Sequence, residues 1–263
     1  MWPVPRSIEW LAKIRVTNSC VQVYDEVPKP LDVRNFASVG YNRHHKFLRA
    51  LSLRLMKKIW DISPPIDASS PVFPGDTPFH LKWSAQIAAD CPVNVSAITL
   101  SPHVGSHADA PLHYDPEGAA IGQVDLQTFI GPCRVIHAIE VGPLITMQHL
   151  AHQLHHAPER IVVRTYTTFP THQFDKQLTA FAPETLHALA DLGVKLIGID
   201  SASIDPADSK TLDSHQVIRQ RNMRVLENLQ LDHIEQGDYE LIALPLKLMS
   251  ADASPVRAIL REL

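Results

Sequence analysis

The stretch Ser101-Pro-His-Val-Gly-Ser-His-Ala-Asp-Ala-Pro-Leu-His113 places three histidines and one aspartate close together in the chain. On a straight strand, His103 and His107 would share one face but lie about 13 Å apart, at roughly 3.3 Å per residue. Two imidazoles that bind one zinc ion must each bring a nitrogen to about 2.1 Å from it. A straight strand therefore cannot bind one ion through both histidines.

A sharp bend in the strand would remove this problem of distance. A helix is disfavoured here, because glycine and serine occupy the middle of the stretch and Pro111 pushes the preceding residue out of the α region. We therefore expect a strand that bends at Gly105-Ser106 and turns His103, His107 and Asp109 inward.

These side chains together predict a metal site that suits a hydrolase. Imidazoles bind zinc well, and the Asp109 carboxylate could hold one ion or bridge two. Single histidines are more often surface or packing residues, but the small neighbours of this cluster leave room for an ion and a substrate. The identity of the native ion stays open, because the same ligands accept Mn²⁺ or Co²⁺.

A second histidine-rich stretch, at residues 149–156, predicts a solvated helix face instead. His149, His152 and His156 recur at helical spacing, with His155 beside them, and no acidic residue accompanies them. An exposed helix face tolerates histidine freely.

Further ligands for a complete metal site must come from later in the chain, and His215 and Glu227 are the best candidates. His215 follows two potential capping residues, so we expect it at the start of a short helix. Glu227 lies in an otherwise apolar run, where a carboxylate is costly to bury unless it is paired or bound to a metal. An ordinary ion pair with Arg221 or Arg224 is the alternative for Glu227.

The remainder of the chain predicts an α/β fold with many strands and few helices. Strand patterns occur at residues 58–62, 93–100, 134–141, 160–166, 194–199, 239–245 and 255–260, and helical patterns at 146–154 and before Gly193. The composition, 45% hydrophobic and 20% charged, suits one main globular domain.

Charge and cysteine usage restrict the partners and the compartment that we expect. The formal net charge of -4 gives no support for a nucleic-acid or membrane-surface partner. No apolar run is long enough to span a bilayer. The three cysteines form no CxxC pair, which predicts a reduced, cytoplasmic protein.

Residues 1–55 differ in composition from residues 56–263. They contain nine Lys or Arg against four acidic residues, and only residues 47–55 have an amphipathic helical pattern. We expect a loosely ordered N-terminal extension that adds little to the core. Met56 is an alternative start of the native protein, because a well-patterned strand follows it at once.

The histidine stretch resembles the HxGxHxDAPxH signature of the cyclase-like metal hydrolases, and further segments resemble the bacterial kynurenine formamidases among them. These segments are Trp60-Asp-Ile-Ser63, Pro71-Val-Phe-Pro-Gly-Asp76, Ile197-Gly-Ile-Asp200, Gly237-Asp-Tyr-Glu-Leu-Ile-Ala-Leu-Pro-Leu246 and Asp252-Ala-Ser-Pro-Val-Arg-Ala258. The resemblance begins at about Met56 and continues to the C-terminus.

This resemblance implies a compact swivelling β/β/α domain, a homodimer and two zinc ions per subunit. His103, His107 and Asp109 would hold one ion, and Asp109 would also reach the second. His215 would bind the second ion, and Glu227 would bridge both.

The resemblance also implies an activity and two further site residues. The reaction would be hydrolysis of N-formyl-L-kynurenine to L-kynurenine and formate, in tryptophan degradation. His113 would be the catalytic acid–base residue. Phe73 would line the substrate pocket at a position that is usually tryptophan, where it keeps the stacking face but lacks the indole N–H.

Two alternatives to this activity stay open on the sequence. One is a related hydrolase that acts on another small amide, such as a cyclic one, or on an ester. The other is a metal-binding module without catalytic activity. A fourth imidazole beyond the ligands, at His113, suits catalysis better than metal storage.

Overall fold

The computed structural model describes residues 15–17, 20–22 and 57–263, and the chain divides into two units, Met1–Met56 and Lys57–Leu263. In the first unit, β1 (Arg15–Thr17) and β2 (Cys20–Gln22) pair antiparallel. The helix expected at 47–55 lies outside the described residues, as does most of the expected extension.

One mixed sheet of nine strands organises the second unit. The strands of this unit are β3 (Ile59–Asp61), β4 (His80–Ala85), β5 (Val95–Thr99), β6 (His107–Asp109), β7 (Ile130–His137), β8 (Leu144–Ile145), β9 (Arg160–Arg164), β10 (Ala180–Phe181), β11 (Leu196–Ile199), β12 (Arg224–Glu227), β13 (Gly237–Ile242), β14 (Ala253–Pro255) and β15 (Ile259–Arg261). The order in the large sheet is β14-β6-β12-β11-β9-β7-β13-β15-β3. Within this sheet β7, β9, β11 and β12 run parallel and every other pairing is antiparallel, and the separate pair of β8 and β10 is parallel.

Helices are few and short, as the sequence predicts. Within residues 57–263 the α-helices are α1 (Pro111–Tyr114), α2 (Met147–Leu150), α3 (Pro183–Asp191) and α4 (Asp213–Gln220). The helix expected at 146–154 is present as α2 followed by a 3-10 turn, Ala151–Gln153. The helix expected before Gly193 is α3, and His215 lies in the first turn of α4.

The core lies on both faces of the large sheet. In β9, Ile161 and Val163 pack into one cluster with helix residues such as Leu186, whereas Val162 packs into the other cluster with Leu226. Alternate residues of a strand point to opposite faces, so a strand buried on both faces is apolar throughout. This two-sided burial makes the central parallel strands a firm support for the loops at their ends.

Strands β4 and β5 form a separate antiparallel hairpin whose residues are nearly all exposed. The strand expected at 93–100 is present as β5, but it does not continue into the histidine cluster as we expected. Strand β5 ends at Thr99, and residues 100–106 turn before β6 begins. Pro102 and Gly105 interrupt the strand, because proline lacks the N–H that a ladder needs and Gly105 has a positive φ.

No helix in the described part of the chain is both long and apolar enough to cross a membrane.

Candidate metal and catalytic site

The expected bend is present at Gly105. Its φ is +68°, in the left-handed region that favours glycine. A Cβ at this position would lie 2.8 and 2.9 Å from side-chain carbons of Ile66, so glycine is also required for space. His103 lies in the turn before the bend, and His107 and Asp109 lie on β6 after it.

Strand register brings Glu227 to this cluster. Strand β6 pairs antiparallel with β12, and Glu227 lies directly opposite His107. Glu227 Oε2 is 3.4 Å from His107 Nε2, and Glu227 Oε1 accepts a hydrogen bond of 2.8 Å from the Ile204 amide. Glu227 is only 4% exposed. Among the described residues its ionic partners are histidines, so the alternative of an ordinary arginine pair was wrong.

His215 reaches the cluster from α4 and is oriented by Asp205. The Asp205 carboxylate accepts hydrogen bonds from the Ser214 and His215 amides and, at 2.7 Å, from His215 Nδ1. This leaves His215 Nε2 3.3 Å from Asp109 Oδ2. Sequence reasoning missed Asp205, because the carboxylate that caps α4 comes from the preceding loop rather than from the helix start itself.

The other two histidines of the cluster follow the same pattern. His107 Nδ1 lies 2.9 Å from the Gly105 carbonyl, and His107 Nε2 lies 3.4 Å from Asp109 Oδ1. His103 Nε2 lies 3.0 Å from Asp252 Oδ2, and His103 Nδ1 lies 3.1 Å from Asp109 Oδ1. Each imidazole thus has one nitrogen held by an outer acceptor and the other directed at a buried carboxylate. Metal-binding histidines are held in this way.

Two buried polar atoms of the cluster have no hydrogen-bond partner among the residues that the structure describes. They are His107 Nε2 and Asp109 Oδ1. Buried polar atoms are nearly always paired, so unpaired lone pairs that face each other across 3.4 Å fit a cation between them. Three imidazoles and two carboxylates are a donor set that suits a divalent transition-metal ion.

The electrostatics of the cluster also favour positive charge. Burial alone would lower the pKa of His103, but Asp109 and Asp252 outweigh it and raise the pKa to about 9. Burial acts likewise on His215, whose pKa Asp109 and Asp205 raise to about 10. Burial would raise the pKa of Asp109, yet the surrounding imidazoles hold it well below its usual range. A metal ion would supply the same positive charge in place of protons.

His113 lies beside the cluster but is more exposed than the other three histidines. It is the third residue of α1, which starts at Pro111. Its ring lies 4.4 Å from that of His103 and 5.7 Å from that of His215, measured between centroids. His113 Nδ1 lies 3.3 Å from Asp252 Oδ2. Asp252 was not among the predicted site residues, although one of the segments that resemble the formamidases begins with this residue.

The cluster lies in the wall of a cavity of about 350 Å³. Phe73 and Phe174 also line this cavity, and their rings meet edge to face with centroids 5.2 Å apart. Phe73 is 44% exposed, so its ring can receive a ligand. No lysine or arginine is among the lining residues that the structure describes. The cavity therefore suits a small molecule with a flat ring.

The histidines at 149–156 take no part in this cavity. His152, His155 and His156 are exposed, and the His149 ring accepts a hydrogen bond from the Thr146 amide. The predicted exposure is confirmed for these three residues, but the helix ends at Gln153, so His155 and His156 lie in a turn and not on a helix face.

Comparisons of sequence indicate that the chain is an enzyme. Residues 60–206 match the family described as "Putative cyclase". The chain is 66% identical over 209 residues to the kynurenine formamidase of Delftia acidovorans, an alignment that covers 80% of this chain and all of that enzyme.

Comparisons of structure agree on the fold. A predicted metal-dependent hydrolase from Bacillus stearothermophilus has a TM-score of 0.68 at 26% identity, covering 79% of this chain and 100% of that one. An isatin hydrolase bound to the product analogue thioisatinate has a TM-score of 0.70 at 21% identity, covering 85% and 99% of the two chains. The second similarity concerns the fold alone.

Metal binding should stabilise the folded chain through this cluster. We expect Zn²⁺ at a hundredfold excess over its Kd to add about 2.7 kcal/mol to the free energy of unfolding, because the folded state alone assembles the ligands. His107→Ala should lose most of this increment in urea titrations with and without Zn²⁺. The control variant His152→Ala, on the exposed histidine stretch, should keep it. Equal increments in both variants would contradict the assignment of the ion to this cluster.

Proposed function

Because the chain belongs to the cyclase family and, within it, to the kynurenine formamidases, we propose that it hydrolyses N-formyl-L-kynurenine to L-kynurenine and formate, in tryptophan degradation. The observation that carries this proposal is the 66% identity over the full length of the Delftia acidovorans enzyme. The cavity supports it, because a lining of aromatic side chains, imidazoles and carboxylates suits an aryl formamide.

The proposed cofactor is two zinc ions per subunit. His103, His107 and Asp109 would hold one ion, His215 and Asp109 the other, and Glu227 would bridge both. The short distances from Asp109 to all three imidazoles support its central position. When bound, the ions would lower the pKa of water towards about 7 and stabilise the negative charge that develops on the formyl oxygen.

The proposed role of His113 is to carry the proton that the leaving group requires. Water adds its oxygen to the formyl carbon, and the bond from that carbon to the aryl nitrogen breaks. The electron pair of this bond stays on the nitrogen, which takes a proton from His113 because an aniline leaves poorly as an anion. One water is consumed, and L-kynurenine and formate are released. The position of His113 at the exposed side of the cluster supports this role.

The proposed role of Phe73 is to stack on the aryl ring of the substrate. Its exposed face on the cavity wall supports this role. Phe174, packed against its edge, would keep the Phe73 ring in place.

Two other activities are the rivals to this proposal. A hydrolase of cyclic amides would fit the fold, which an isatin hydrolase shares. A metal-binding module without catalysis would fit the ligands but not the partly exposed His113 at the cavity.

Purified protein loaded with Zn²⁺ should convert N-formyl-L-kynurenine to equal amounts of L-kynurenine and formate, followed by absorbance and by formate analysis. His113→Ala should lower kcat by about 10²- to 10⁴-fold, because general acid–base catalysis contributes that much. The variant should retain its metal, since His113 is not a proposed ligand.

Three controls make this experiment decisive. A chelator should abolish turnover, and added Zn²⁺ should restore it. Isatin, offered at the same concentration, should be turned over far more slowly. Turnover of isatin alone would favour the cyclic-amide hydrolase, zinc binding without any turnover would favour the module, and a fully active His113→Ala would refute the role of that residue.

The proposed catalytic domain is residues 56–263. The alignment with the Delftia acidovorans enzyme uses all of that enzyme but 80% of this chain, which leaves about a fifth of the chain without a counterpart there. The proposed compartment, the cytoplasm, stays a prediction from cysteine usage. The free thiols of Cys91 and Cys133 agree with it.

The proposed assembly is a homodimer, and the hairpin of β4 and β5 is the best candidate for its interface. Leu81 and Ile98 lie directly opposite each other on this hairpin and are 46% and 60% exposed. Trp83, two residues from Leu81 and on the same face, adds further exposed apolar surface. Apolar side chains grouped in this way mark interaction sites on soluble proteins.

The native chain should have about twice its 29.3 kDa mass in light scattering after size exclusion. Ile98→Glu should shift it towards a monomer, because a charge would be buried without a partner at the interface. Lys82→Glu, one residue from Leu81 and on the other face of the hairpin, is the matched control and should remain dimeric. A dimeric Ile98→Glu variant would exclude this face as the interface.

A further inference from the structure

We infer that Asp252 is a positioning residue that holds both His103 and His113 through one carboxylate oxygen, and so connects the metal ligand to the proton carrier. This inference rests on the proposed function of the cluster. It gives a role to a residue that acts on the substrate only through its neighbours.

The geometry around Asp252 supports this role. Its Oδ2 atom lies 3.0 Å from His103 Nε2 and 3.3 Å from His113 Nδ1. The planes of the two imidazole rings form an angle of 46°. An ionised carboxylate only accepts hydrogen bonds, so both nitrogens must donate. His103 then presents Nδ1 to Asp109, and His113 keeps Nε2 as the nitrogen that can pass a proton on.

The backbone fixes Asp252 firmly at this place. It directly precedes β14, in which Ala253 lies opposite Asp109 of β6. The Asp252 carbonyl also accepts a hydrogen bond of 2.8 Å from the Ala110 amide. The ladder that sets the position of Asp109 therefore sets that of Asp252 as well. Its side chain remains 43% exposed and lines the cavity.

The consequence for the reaction is a fixed tautomer of His113. During cleavage Nε2 takes the proton that the attacking water loses and passes it to the departing nitrogen, and the Nδ1 proton stays between His113 and Asp252. The carboxylate itself gains no proton and transfers no electrons. Without Asp252 the imidazole could rotate or adopt the tautomer protonated at Nε2 alone, and proton transfer would fail in part of the population.

The alternative reading of Asp252 is that of a metal ligand. His103, His113 and Asp252 place one donor atom each within 4.8 Å of one another. The metal content of the Asp252→Asn variant distinguishes these two roles. Loss of a ligand lowers metal content, whereas loss of a positioning contact leaves it in place.

Asp252→Asn should slow the amide more than an activated ester. The comparison uses N-formyl-L-kynurenine, whose aniline needs a proton to leave, and 4-nitrophenyl formate, whose phenolate does not. We expect kcat on the amide to fall by about 10- to 100-fold with little change in KM, the cost usual for residues that orient a site. The fall on the ester should be about tenfold smaller than that on the amide.

Asp205→Asn is the matched control. Asp205 orients a proposed ligand, His215, just as Asp252 orients His103, but it has no contact with His113. At saturating Zn²⁺ it should keep its zinc, like Asp252→Asn, but slow both substrates equally. An equal fall on both substrates in Asp252→Asn would overturn our inference.

Two readouts are independent of turnover. In nitrogen-15 NMR of the zinc-loaded protein, His113 should be protonated at Nδ1, and Asp252→Asn should produce a mixture of tautomers. Zinc content should stay at the value of the unmodified chain. Loss of zinc from Asp252→Asn, or an unchanged His113 spectrum, would overturn the inference. If the unmodified chain hydrolysed neither substrate, the proposed function would fail, and the NMR result would still decide the role of Asp252.

Discussion

The structure depends on the burial of two carboxylates, Asp109 and Glu227, against the same imidazoles. Asp109 is 1% exposed and Glu227 is 4% exposed, and an isolated carboxylate at such depth is costly unless positive charge compensates it. The three histidines around them can supply that charge as protons or accept a metal ion in its place. The bend at Gly105 and the pairing of β6 with β12 both serve to bring these groups together.

The site separates metal binding from proton transfer in space. His107 and His215 are buried, whereas the His113 side chain is 30% exposed. A ligand must keep a lone pair for the metal, and a proton carrier must exchange its proton with water. Burial suits the first task and exposure the second, so one cluster of histidines can perform both. Asp252, which contacts His103 and His113, lies where the two functions meet.

The local part of the site could be predicted from the sequence, and the long-range part could not. The bend at Gly105 follows from the distance between His103 and His107 and from the conformational freedom of glycine. The pairing of Glu227 with His107 depends on the register of two strands more than a hundred residues apart, which no local period encodes.

Sequence spacing suggested a capping residue directly before His215, but the cap is Asp205 from the loop that precedes the helix. The strand expected at 93–100 is present as β5, but its pairing in an exposed hairpin outside the large sheet could not be deduced from its apolar pattern. The roles of the site residues stay predictions.

Anomalous diffraction at the zinc edge, from crystals of the zinc-loaded protein, tests the central claim most directly. The account predicts strong anomalous density between the carboxylates of Asp109 and Glu227, in contact with the imidazoles of His103, His107 and His215. Density confined to other histidines, such as His152 and His155, or an absence of zinc between the two carboxylates, would contradict it.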